Sequence, residues 1–118
     1  MIKAYKIFTG ADGHTHVQTG TVSENILFNA LSIRFKETPA HSSYDWHTAP
    51  VIQYVLSLTG TLQFETWLGE QFILQPGEIL IAMDTSGTGH KWKLVDEQPW
   101  KRAYIAFDEN KEINFIED

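Results

Sequence analysis

The sequence predicts an all-β domain, a two-layered sandwich or small barrel. Three observations carry this: short apolar–polar alternations recur along the chain, clusters of Gly, Pro, Asp and Ser separate them, and no stretch sustains a helical period. With 118 residues and 42% apolar content, a single domain with its own core is expected over 1–118.

The first clean alternation is ALSIRFK at 30–36, where Leu31, Ile33 and Phe35 oppose Ser32, Arg34 and Lys36. Pro39 ends this strand or sets it at an edge. A short strand follows from Tyr44 to His47, interrupted by Ala49-Pro50. The strongest strand is VIQYVLSL at 51–58. Tyr54, Leu56 and Leu58 share one face, expected to lie in the inter-sheet core or against a second subunit; Gln53, Val55 and Ser57 share the other. Thr59-Gly60 turns the chain into TLQFETWL, Gly69-Glu70 into QFIL, and Pro76-Gly77 into EILIAM. DTSGTG at 84–89 reads as turn chemistry throughout. In HKWKLV, lysines 91 and 93 prefer water, so His90, Trp92 and Leu94 point inward. RAYIAF is the last clear strand, and about eight to ten strands suit a sandwich or barrel. The core is expected over about 30–107, with residues 1–29 as an N-terminal strand arm and 108–118 as an acidic tail, an edge strand or helical turn if it packs.

Charge and composition exclude several classes. The net charge of −6, with lysines and arginines scattered singly, offers no basic footprint for nucleic acid. Cysteine is absent, which removes disulfides, thiolate metal sites and cysteine nucleophiles. The apolar runs are too short for a membrane-spanning helix, and MIKAYKIFTG has no signal-peptide pattern, so a cytoplasmic protein is expected. DTSGTG lacks the lysine and strand-to-helix setting of a phosphate loop.

The chemistry-bearing residues are His47 and His90, brought from distant strands. Asp45 stands two before His47, on the same side if the strand is regular. Gln53 joins that side if parity survives Pro50. Two imidazoles with oxygen donors suit Zn, Fe, Mn, Ni or Cu better than Ca or Mg. Trp92 and Val55 are expected to line the pocket, Trp46 to face away from it, and Trp67 and Trp100 to serve core or interface. His14 and His16, in DGHTH, are expected in a loop, as is His41.

These motifs resemble those of a small single-domain cupin. Its first motif reads His-x-His, then Glu, six residues and Gly; here Asp45 and His47 stand at the histidines, Gln53 at the glutamate, and Gly60 closes it. Its second reads Gly, five residues, Pro-x-Gly, two residues and His; here Gly77 opens it, Met83 replaces the proline, and Gly87 precedes His90 across a longer loop. Leu94 replaces a later asparagine. DWHTAP, QYVLSLTG and DTSGTGH are similar to a group of small bacterial cupins. The resemblance implies a double-stranded β-helix or jelly-roll barrel binding a small organic molecule; a homodimer is expected from the residues themselves, burying the apolar sheet face or pairing an N-terminal strand across subunits. The resemblance also implies a divalent metal (Zn, Fe, Mn or Ni) on His47 and His90 with Gln53 or Asp45, for oxygenase or isomerase chemistry. With two ligand positions altered, the alternatives are a metal-free acid–base enzyme using His47 or His90, and a binding or sensing module without turnover.

Overall fold

The computed structural model describes residues 1–118 and is all-β. Eleven strands run in chain order: β1 (Ile2–Thr9), β2 (Thr15–Val22), β3 (Ser32–Thr38), β4 (Ser43–His47), β5 (Gln53–Thr59), β6 (Leu62–Thr66), β7 (Gln71–Leu74), β8 (Ile79–Met83), β9 (His90–Leu94), β10 (Trp100–Ala106) and β11 (Ile116–Glu117). They form a seven-stranded sheet, ordered β11-β2-β1-β8-β5-β10-β3, and a four-stranded sheet, ordered β4-β9-β6-β7. No helix is long and apolar enough to cross a membrane.

The strands form where alternation and turn residues coincide. Gly60, Gly69 and Gly77 all take positive φ at the connections between β5, β6, β7 and β8, a backbone region that costs a side chain about 1–2 kcal/mol. Alternate residues then fill the space between the sheets: Leu62 and Phe64 from β6, Phe72 and Leu74 from β7, Trp92 and Leu94 from β9, all buried. Phe64 and Phe72 stack with ring centroids 4.9 Å apart, and Phe72 stacks on Tyr5 at 4.4 Å. This aromatic column fills one half of the sandwich.

Two placements differ from what the sequence predicts, residues 1–29 and the faces of β5. Residues 1–29 are not an arm beside the core, since Ile7 is fully buried in it. β1 pairs antiparallel with β2 and parallel with β8, so both of its edges are satisfied within the chain and it has none to exchange with a second copy. On β5, Gln53, Val55 and Ser57 are buried, with Val55 in the inter-sheet core. Tyr54 and Leu56 pack on the outer face of the large sheet, under Phe28, Phe107, Ile113 and Phe115. That cover stops short of Leu58, which is exposed. The tail packs as an edge strand, one of its expected forms: β11 extends the large sheet at β2.

β3 is inside out. Ile33 and Phe35 are 59% and 71% exposed, while Arg34 and Lys36, also exposed, are on the face that borders the inter-sheet cavity. β3 is also an edge strand, hydrogen-bonded only to β10. Phe64→Ala is expected to destabilise the protein by about 3–5 kcal/mol through cavity formation. Phe35→Ala, measured on the monomer, should stay within about 0.5 kcal/mol, as a surface change does. Urea midpoints of the two variants test the assignment.

Candidate active site

The half of the sandwich not filled by the aromatic column is a cavity of about 370 Å3 between β3, β10 and β5 on one side and β4 and β9 on the other. That volume suits a small organic ligand. His47, Gln53, Val55, His90 and Trp92 all line it. The two histidines are direct cross-strand partners on β4 and β9, with ring centroids 4.4 Å apart. Gly89 permits this approach. It has a positive φ, and a Cβ there would strike the carbonyl of His47.

Asp45 lies elsewhere. The pairing of β4 with β9 shifts register between Tyr44 and His47: three residues of β4 span the interval that two residues of β9 span. Such a bulge reverses strand parity. Tyr44 therefore shares the cavity with His47, their rings 4.0 Å apart, and Asp45 does not join them. Its side chain is exposed, caps its own turn by accepting from the Trp46 N–H at 2.8 Å, and borders a separate hollow with Gln63, Glu65, Lys91 and Lys93. What Asp45 supplies to the site is its backbone carbonyl, which accepts from His47 Nδ1 at 2.7 Å.

The carboxylate that does reach the histidines is Asp84, just beyond β8. It is fully buried. Its Oδ2 accepts from His90 Nδ1 at 2.5 Å and from the Thr15 hydroxyl at 2.9 Å. Its backbone oxygen accepts from the Ala49 N–H at 3.0 Å. Its Oδ1 is enclosed with no partner, the single such side-chain atom in the chain. An unsatisfied buried acceptor costs about 1–3 kcal/mol. Asp84 opens the DTSGTG loop and reads from sequence as a turn residue; the turn is real, with Gly87 and Gly89 both at positive φ, but the carboxylate turns inward from it.

Both imidazoles are thus held by Nδ1, His47 on a carbonyl and His90 on a carboxylate. In a neutral ring this fixes Nε2 as the lone-pair nitrogen. Burial pushes His47 below its ordinary 6.5; the proximity of His90 adds to this, and the Asp45 carbonyl and the Asp84 charge oppose it.

The remaining histidines lie apart. His16 is on β2 rather than in a loop, and its ring contacts Asp12 at 2.9 Å and Glu70 at 3.4 Å. The bond to Asp12 holds His16 above its ordinary value, and the His14 backbone N–H, with His16 second, holds Asp12 below the usual carboxylate range. His14 Nδ1 meets Thr88 Oγ1 at 3.3 Å, and exposed His41 pairs with Glu97 at 2.9 Å. Trp100 is buried in the core, whereas Trp67 is exposed against Trp46, with ring centroids 5.0 Å apart.

For a metal, the cavity offers His47, His90 and Gln53, three neutral donors. No group of three or more His, Asp and Glu side chains is gathered closely enough to hold an ion. Asp84 is taken up by His90 Nδ1, so no carboxylate remains to offset a dication, and the set fits one weakly. No protein-family model and no curated protein sequence matches the chain.

Two outcomes follow from this geometry. Asp84→Ala leaves the Thr15 hydroxyl and His90 Nδ1 without their acceptor, at about 1–3 kcal/mol for each group that stays buried; the urea midpoint should fall accordingly. The depressed His47 value has a definite sign. The unfolded chain takes up this proton first as pH drops, so the associated stability is present above about 6.5 and is lost below it. Nitrogen-detected NMR should place the His47 midpoint below 6.5, and a midpoint above it would contradict the burial described.

Proposed function

We propose that the chain is a cupin-type jelly roll that binds a small organic molecule between its sheets and moves a proton on it, an isomerase-type activity with His90 as the base. The Asp84–His90 pair carries this reading. A buried carboxylate on Nδ1 orients an imidazole, fixes Nε2 as the nitrogen that faces the ligand and sets a counter-charge beside the imidazolium that forms. The chain tolerates an unpartnered oxygen on Asp84 to keep that arrangement, as proteins do at functional sites.

In this scheme His90 Nε2 accepts a proton from one ligand carbon and returns it to another, so the ligand's atoms are conserved. Neutral His47 offers its own Nε2 as an acceptor for a ligand hydroxyl or amide, and Gln53 offers an amide from the facing sheet. Trp92 and Val55 give apolar walls. Supporting the cupin-type assignment are the two facing sheets and the cross-strand meeting of the histidines from the two motif segments. The homodimer belongs to the same reading, since Leu31, Ile33 and Phe35 present an apolar strip along an open sheet edge that a second copy would cover.

A second reading places a divalent metal on His47, His90 and Gln53. It is supported by the tied Nδ1 and free Nε2 of both rings, the arrangement that metal-binding imidazoles adopt. Such an ion would supply Lewis acidity. Native mass spectrometry and elemental analysis of untagged protein, followed by incubation of any co-purified molecule in D2O, separate the possibilities. Deuterium incorporation that falls about 100-fold or more in His90→Gln is the outcome expected of a general base. Stoichiometric metal lost in His47→Ala would favour the second reading, and a bound molecule without exchange would leave a binding module.

A further inference from the structure

We infer that the molecule bound in the cavity carries an anionic group, a carboxylate or a phosphate, held by Arg102, Lys36 and Arg34 on the wall formed by β3 and β10. This rests on the reading of the cavity as a ligand site and adds the charge of the ligand to it.

The chain has nine Lys and Arg against fifteen Asp and Glu, yet three of those cations and no carboxylate line this one cavity. None of the three lies within ion-pair distance of an acid. Glu37, next to Lys36, points to the opposite face of β3 and is registered against Lys101.

Arg102 is the decisive residue. It is 3% exposed. Its Nε donates to the Tyr104 hydroxyl at 2.9 Å, and its Nη1 donates to Thr38 Oγ1 at 2.6 Å and to the Trp100 carbonyl at 3.0 Å. Its guanidinium stacks 3.9 Å from the Trp100 ring centroid. Every acceptor is neutral. Hydrogen bonds and a π-face orient the group but leave its permanent charge without a counter-charge, which a protein interior penalises strongly. Nη2 is left as the free donor.

The neighbours compound the imbalance. Lys36 is the direct cross-strand partner of Arg102, and Arg34 that of Tyr104, with the Arg34 guanidinium 4.6 Å from the Tyr104 ring. Like charges placed directly opposite destabilise a sheet. β3 has moreover turned its charged face to the cavity and its apolar face to solvent. An anion seated on Nη2 and within reach of Lys36 would resolve the buried charge and the cross-strand repulsion together. A guanidinium fork with an adjacent ammonium is the chemistry that recognises a carboxylate or phosphate. The aromatic walls suit an apolar body attached to that group, with the imidazoles available to the rest of the molecule.

The test uses three probes of one shape: benzoate, phenyl phosphate and benzamide, titrated into the full chain and followed by the NMR signals of the Trp100, His47 and His90 side chains. Benzoate or phenyl phosphate should bind at least about tenfold more tightly than benzamide, as expected when a charge-assisted bond replaces a neutral one, and whichever of the two is tighter names the source of the anion. Arg102→Gln should remove most of that preference. Because Arg102 is buried and its replacement also disturbs the interior, the exposed pair Arg34→Gln with Lys36→Gln is the second variant, and it should lower anion affinity while leaving benzamide unchanged. Equal affinity for all three probes, or an anion preference that survives the double variant and Arg102→Gln, overturns the anion site while the ligand cavity stands. If no probe moves the His47, His90 or Trp100 signals, the cavity reading falls with it.

Discussion

The structure turns on the carboxylate of Asp84. Through one oxygen it accepts from Thr15 on β2 and from His90 on β9, and through its backbone it accepts from Ala49 between β4 and β5. Elements from both sheets, separated by up to 69 residues in the Thr15–Asp84 bond, therefore meet on one residue. Its complete burial makes these bonds strong and their loss expensive. The position of His90, and so the meeting of the two imidazoles, is inherited from this junction.

The sandwich has two unlike halves. One is packed by the Tyr5–Phe72–Phe64 column; the other is hollow and polar in an organised way. Its imidazoles come from the small sheet, and its amide and guanidinium from the large one. A rigid aromatic half gives the hollow half fixed walls, so groups on opposite sheets hold their separation without direct contact. Precise placement of a few polar groups by packed supporting residues is what a ligand site requires.

The strands were legible because alternation and turn residues agree locally, as in ALSIRFK and HKWKLV. The inward direction of His90 was legible for the same reason, since two flanking lysines leave the ring one face. Which face of β5 turns inward was not, because both faces carry apolar residues and the outer one is covered by Phe28 and Phe115 from far along the chain. Asp45 was misplaced by counting residues through a bulge, which parity cannot register. Asp84 was hidden in a loop whose composition is fully explained by turning; only the distant Thr15 reveals its burial. Arg34 and Lys36 carried a visible alternation, but the usual rule assigns the charged face to water. Their meeting with Arg102 depends on a strand register that no local pattern encodes.

The parallel pairing of β1 with β8 also sets an order of events in time. Residues Ala4 and Phe8 are joined to Ile79 and Met83, so β1 leaves the ribosome well before its partner exists. It can form a hairpin with β2 at once, but its apolar face, with Tyr5 and Ile7, is covered only once the facing sheet, with Phe72 on β7, has been made, and its second edge stays open until β8 follows. Long-range parallel pairing is slow, and uncovered apolar strands are prone to aggregate. The early hairpin therefore waits with an open edge and an uncovered apolar face for as long as residues 23–83 take to be made.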